Sequence, residues 1–209
     1  MRGTLQVILA IALLFLIQLS TAHAQSTSTY NSSGAYAESF FTVNNSSVNL
    51  FAARGCPAPP CSGSNGTFIV WFAYNTNPDG THSFTEGDGT IPDSAFQVSG
   101  LKHMSLNVDT SQVAGFKTMT CTFVPGGTTC TNGPFGVMQA DWQATQQSSL
   151  TNKEDTTTTI GPFTTKTKND QSYTSGAATG TFLGTAFSDN SRTTLGTNKS
   201  HTKSMTKPQ

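Results

Sequence analysis

The stretch Thr67–Glu86, TFIVWFAYNTNPDGTHSFTE, decides the fold. Phe68-Ile69-Val70-Trp71-Phe72-Ala73-Tyr74 is too short for a typical helix, rich in β-branched and aromatic residues, and bounded by Gly66 and Pro78. It reads as a strand. With no polar alternation, it is expected to be covered on both faces in the middle of a sheet. Asn77-Pro78-Asp79-Gly80 is turn chemistry, with Pro at the second place and Gly at the last. Thr81 to Thr85 then returns as a second strand.

Composition extends this reading to the whole chain. Only 11% of its 209 residues are charged, against about a quarter in an average protein. Thr and Ser abound, and Thr suits the exposed face of a strand because it is β-branched yet polar. Roughly ten to twelve short strands follow from alternating segments separated by Gly and Pro. Met104, Leu106 and Val108 form one such apolar face, and Met138, Ala140, Trp142 and Ala144 another. The expected fold is all-β, an antiparallel β-sandwich or jelly roll, with a barrel as second choice.

The ends read differently. Residues 1–24 form a signal peptide: Arg2, the apolar run Val7 to Ile17, and the small-residue site Ala22-His23-Ala24. The run is shorter than the about 20 residues a membrane span requires, and the mature chain contains no other candidate span. A secreted or periplasmic protein is expected. Residues 25–34 are read as a flexible segment, 35–197 as one β-sandwich domain, and 198–209 as a disordered basic tail. Lysine plus arginine equals aspartate plus glutamate at 11 each, so net charge gives no reason to expect a nucleic-acid partner.

Four cysteines in an oxidising compartment imply two disulfides. Folding the chain back at Pro125-Gly126 sets Cys121 opposite Cys130 on a hairpin. Met119, Cys121 and Phe123 share a face, so this bridge is expected to border the core. Cys56 and Cys61 enclose a proline-rich loop and form the other expected pair.

Asn75, Asn77, Asp79, Gly80, Thr81, Ser83 and Glu86 fall at the ligand and glycine positions of a calcium loop. Over these residues alone the chain resembles an EF-hand loop. The resemblance implies calcium held by Asn75, Asn77, Asp79, Thr81 and Glu86, and calcium is the one cofactor suggested. Position one is Asn rather than Asp, Pro78 lies inside the loop, and the flanks are strands. A plain type I turn is the favoured reading.

Val108-Asp109-Thr110-Ser111 resembles the Asp-Thr-Ser triplet of aspartic proteases, which need two such aspartates. A strand-end aspartate making a turn is the simpler reading. No Gly-x-Ser-x-Gly elbow is present.

The first functional expectation is a non-catalytic binding or cell-surface module. Its partner would be carbohydrate or an envelope polymer, with Tyr30, Tyr36 and Tyr173 as stacking candidates. The second is a glycosidase-like hydrolase on a jelly roll, using Glu86, Asp88, Asp109 or Asp141 with His82 or His103. The third is a structural envelope subunit that assembles by strand addition. Two converging acids in a pocket would favour the second, and exposed aromatics on a polar face the first.

Overall fold

The computed structural model describes residues 26–55, 66–77, 79–146 and 149–206. The expected signal peptide and the expected Cys56–Cys61 bridge lie outside the described residues. The described chain is almost entirely antiparallel sheet, consistent with an all-β sandwich. Its twelve strands are β1 (Thr27–Val43), β2 (Ser46–Gly55), β3 (Thr67–Thr76), β4 (His82–Ile91), β5 (Phe96–Ser99), β6 (His103–Asp109), β7 (Lys117–Val124), β8 (Gly127–Asn132), β9 (Val137–Ala144), β10 (Leu150–Ile160), β11 (Phe163–Phe182) and β12 (Thr185–Thr206). The only helical pieces among the described residues are 3-10 turns at Asp93–Ala95 and Thr110–Gln112. None of these is long and apolar enough to cross a membrane.

Hydrogen bonding runs in the order β5-β6-β9-β11-β12-β1-β2-β3-β4-β7-β8, with β10 paired to β11. The contacts divide the chain into two compact units. The larger comprises residues 32–153 and 169–200 and holds the core. There the sheet curls. Strands β9 and β1 are three places apart in the order, about 14 Å in a flat sheet. Yet Trp142 Nε1 on β9 donates to Ser39 Oγ on β1 at 2.6 Å. Trp71 on β3 likewise meets Phe182 on β11 edge-to-face, ring centroids 5.0 Å apart. The layers bury Leu50, Ile69, Trp71, Phe96, Met138 and Trp142 between them. A Cβ at Gly87 would land on the Trp71 indole, so β4 admits the ring only because that position is bare. Strands β5 and β8 end the order, so the ladder does not close on itself.

Several elements differ from expectation. Strand β3 is covered on one face only. Ile69 and Trp71 are buried, whereas Phe68, Phe72 and Tyr74 are exposed. The run lacks alternation because both faces are apolar, the outer one being aromatic. Cys121 and Cys130 are bonded and directly opposite in the β7–β8 ladder, as the turn implied. Cys121 is buried, as expected of a bridge bordering the core, although Cys130 on β8 and Met119 and Phe123 on the same face of β7 are exposed. Thr118 faces inward instead, opposite Gly87.

The smaller unit contains the described residues 26–31, 154–168 and 201–206. Part of the expected flexible segment is therefore strand β1, and the expected disordered tail is strand β12 through Thr206. The polar stretch 145–157, whose apolar content is too thin for a buried element, is strand from Leu150 onward, within β10. Backbone pairing and hydroxyl contacts replace a core there. Ser26 meets Thr206 at 3.1 Å, Thr165 meets Ser204 at 3.2 Å, and Thr167 meets Thr202 at 3.3 Å.

Ser39→Ala leaves the buried Trp142 N–H without its acceptor, at an expected cost of about 1–3 kcal/mol. Urea unfolding checks this: the midpoint falls and the slope is unchanged.

Candidate binding surface

The outer face of β1–β4 carries the aromatic side chains that the core leaves out. Register sets Tyr36 opposite Ala53, and Ala53 opposite Phe68, with Phe51 two residues along β2. All four side chains point the same way. Tyr36 stacks on Phe51 with centroids 5.8 Å apart, and Phe51 contacts Phe68, also at 5.8 Å. The three rings form a row crossing the strands. The Tyr36 ring also covers Gly196 of β12, where any Cβ would strike it. Beyond lies Tyr173 on β11, itself exposed. Burial pushes the Tyr36 hydroxyl above its ordinary pKa, and the charges of Glu38 and Tyr173 add to the rise.

Further aromatic pairs continue on β3 and β4. Phe72 stacks on Phe84 at 5.8 Å and Tyr74 on His82 at 5.6 Å. Tyr74 Oη lies 2.8 Å from His82 Nδ1. Polar groups frame the rings: Asn49 Nδ2 donates to Glu38 Oε1 at 2.8 Å. Arg54 and Asn198 join Tyr36, Phe51 and Phe68 around a groove of about 200 Å³. Phe68, Phe72 and Tyr74 are exposed, and Tyr36 and Phe51 are half-buried. Tyr36 and Tyr173 were legible as candidates; Phe68 was not, because its apolar run reads as covered on both faces, and Phe51 was not singled out. Tyr30 belongs to the smaller unit, apart from this row.

Glu86 and Asp88 alternate on β4 and face outward beside β7, Asp88 opposite Lys117. With Phe116, Lys117, Thr118 and Asn132 they line a cavity of about 410 Å³. This cavity brings two of the expected acids together. Asp141 and His103 also meet: His103 Nε2 is 2.7 Å from Asp141 Oδ2, and both side chains are 42% exposed. Burial raises the Asp141 pKa, but hydrogen bonds from His103 and Gln143, with the His103 charge, outweigh it and hold the group below its usual value. Asp109 is used locally. Its Oδ1 accepts from Ser111 N at 3.0 Å and Ser111 Oγ at 2.7 Å, capping the following 3-10 turn.

Of the calcium-loop residues, Asn75, Asn77, Asp79 and Thr81 bond to one another within the turn, and Glu86 lies away from them. Asp79 Oδ1 accepts from the Thr81 hydroxyl at 2.7 Å and the Thr81 backbone N–H at 2.9 Å. These bonds lower the Asp79 pKa. Asn77 Nδ2 donates to Thr81 Oγ1, and Asn75 Nδ2 to Asn77 Oδ1. Glu86 sits four residues beyond the start of β4, opposite Phe72, about 13 Å along the strand. Among the described residues no three His, Cys, Asp or Glu side chains group as metal ligands.

The chain matches no family model, no curated protein and no solved structure.

Two outcomes follow. Calcium leaves the unfolding temperature unchanged in scanning calorimetry; a rise reversed by chelator would restore the loop reading. The depressed Asp141 pKa contributes stability that is present above the unfolded value, about 3.9, and is lost as pH falls through the lower folded value. The pair is surface-exposed, so the effect is below about 1 kcal/mol. The urea midpoint difference between wild type and Asp141→Asn, followed from pH 6 to pH 3, shrinks over that window.

Proposed function

We propose that the protein is a secreted, non-catalytic binding module that takes an extended carbohydrate, such as a cell-envelope polymer, on the outer face of its sandwich. The observation that carries this reading is the Tyr36–Phe51–Phe68 row, with rings 5.8 Å apart. Neighbouring strands are about 4.8 Å apart, comparable to the advance of one sugar ring along a linear chain. A row crossing the strands therefore offers successive rings to successive sugars. Aromatic faces stack on the apolar faces of pyranoses, while Glu38, Asn49, Arg54 and Asn198 are placed to bond hydroxyls at the margin. Export is supported by the leader-like residues 1–24.

A hydrolase reading draws on the cavity that Glu86 and Asp88 share. It requires product release from a polysaccharide that the wild type binds, abolished in Glu86→Gln. The binding reading requires retention without turnover.

The test is a glycan array followed by pull-down on insoluble polysaccharides, peptidoglycan included. Phe51→Ala and Phe68→Ala each weaken binding about two- to tenfold, since a stacked ring is worth about 0.5–1.5 kcal/mol. Their circular dichroism spectra remain native. Failure of the wild type to bind any polymer overturns the proposal, as does binding indifferent to both substitutions.

A further inference from the structure

We infer that the β10–β11 turn of the smaller unit is a docking tip for a lipid bilayer with anionic headgroups. Ile160 and Phe163 flank the two-residue connection Gly161-Pro162. Just behind them Thr159 Oγ1 lies 3.3 Å from Thr164 Oγ1. The two apolar side chains therefore stand opposite each other on the other face of the hairpin. Ile160 is 73% exposed and Phe163 58%. Gly and Pro are sufficient to turn the chain, so the fold has no need of two large apolar groups in water at this point.

The independent observation is the placement of charge. Thr165 meets Ser204, and Thr167 meets Thr202, across β11 and β12. The residues between them, Lys166 and Lys203, are therefore opposite each other on the reverse face, and both are exposed. Like charges so placed destabilise a ladder, and an anionic partner relieves that cost. The unit's described acids, Glu154 and Asp155, lie farther from the turn, and Asp155 already meets Lys168 at 3.6 Å. Between the tip and the lysines every residue of the hairpin is uncharged: Thr156 to Thr159 on β10, Thr164 and Thr165 on β11. Lys166 is three residues past Phe163, about 10 Å along the strand. Interfacial elements sink about 5–10 Å into the boundary between headgroups and acyl chains. A hairpin entering end-on to that depth buries Ile160, Phe163 and threonines but no charge, and it leaves both lysines among the phosphates. Apolar contact joined to cations holds a peripheral protein on a membrane where either alone is weak. A second copy docked tip to tip would bring two lysine pairs together, and a soluble polyanion would leave the tip in water.

The test is flotation of the full mature chain with vesicles of phosphatidylglycerol and phosphatidylcholine in equal parts, against vesicles of phosphatidylcholine alone. The expected result is partitioning onto the mixed vesicles. Ile160→Ser combined with Phe163→Ser weakens it at least about tenfold, with the circular dichroism spectrum unchanged. Lys166→Gln and Lys203→Gln each weaken it about fivefold and together remove the preference for phosphatidylglycerol. Should the double serine variant fail to fold, Phe163→Trp supplies a second reading. Its added indole emission shifts to the blue on the mixed vesicles and is quenched by brominated acyl chains, whereas the wild-type emission is not. Phe51→Ala and Phe68→Ala leave partitioning unchanged, which separates the tip from the carbohydrate surface. Equal partitioning onto neutral vesicles, partitioning that survives loss of both apolar side chains, or an unquenched added indole overturns the inference. So does self-association through the tip, or capture by soluble heparin, without vesicle binding.

Discussion

Four buried side chains fix how the main sheet curls. An indole can only donate, so Trp142 gives its proton to Ser39 Oγ. Ser39 lies 2.9 Å from Thr193 Oγ1, and Thr193 donates to Asp189 Oδ2 at 2.7 Å. The Ser39 proton therefore points to Thr193, and every donor in the series has one direction. Asp189 also accepts the backbone N–H of Arg192. The relay ties β9, β1 and β12 together inside the core. Removal of Ser39, Thr193 or Asp189 leaves a buried donor without its acceptor, so the relay makes alternative curvatures costly. Hydrophobic contact alone would tolerate a range of layer angles; directional bonds between fixed groups do not.

The two tryptophans divide the labour. Trp142 is held by a polar partner and by an edge-to-face contact with Phe96, and it serves the architecture. Trp71 is equally buried but has no acceptor among the described residues. The outer faces show a similar contrast. On β6 and β9 the exposed positions are His103, Asn107, Gln139, Asp141 and Gln143, bonded to one another across the ladder. On β1–β4 Phe40, Phe68, Phe72 and Tyr74 are exposed, and Tyr36 and Phe51 are half-buried. Solvent is adequate company for the first group. The second leaves large rings half in water, a cost that a folded chain retains where something else is to cover them.

Much of the architecture was legible because polar alternation is a direct record of one-sided burial. Strands β6 and β9 read correctly for that reason, and the Cys121–Cys130 register followed from one two-residue turn. Alternation fails where both faces are apolar. Phe68-Ile69-Val70-Trp71-Phe72 gives no hint of which ring set faces the core. It fails again where neither face is apolar, as in β10 and the ends of β1 and β12. The ends of β1 and β12 depend on partners far along the chain, as with Asn31 and His201, 2.6 Å apart, whereas β10 pairs with the next strand, β11. The His103–Asp141 contact was invisible for a related reason. Each residue was a candidate alone, but only the β6–β9 register brings them together.

The sheet's free edges bear on how such a chain meets a partner. An unpaired strand edge invites further strands unless it is short, charged or otherwise obstructed. β5 has only four residues. β8 has six and is clipped to β7 through Cys130. β10 is longer, but it carries Lys153, Glu154 and Asp155, with Asp155 3.6 Å from Lys168 of β11. Each edge thus has a different feature that discourages backbone pairing, and strand addition becomes the least favoured mode of assembly. The aromatic face has no comparable safeguard. Its rings are stacked on one another and held by a sheet whose curl is set from within. A surface that is rigid, apolar and unguarded is suited to a rigid ligand with flat apolar faces, because little conformational entropy remains to be lost on contact.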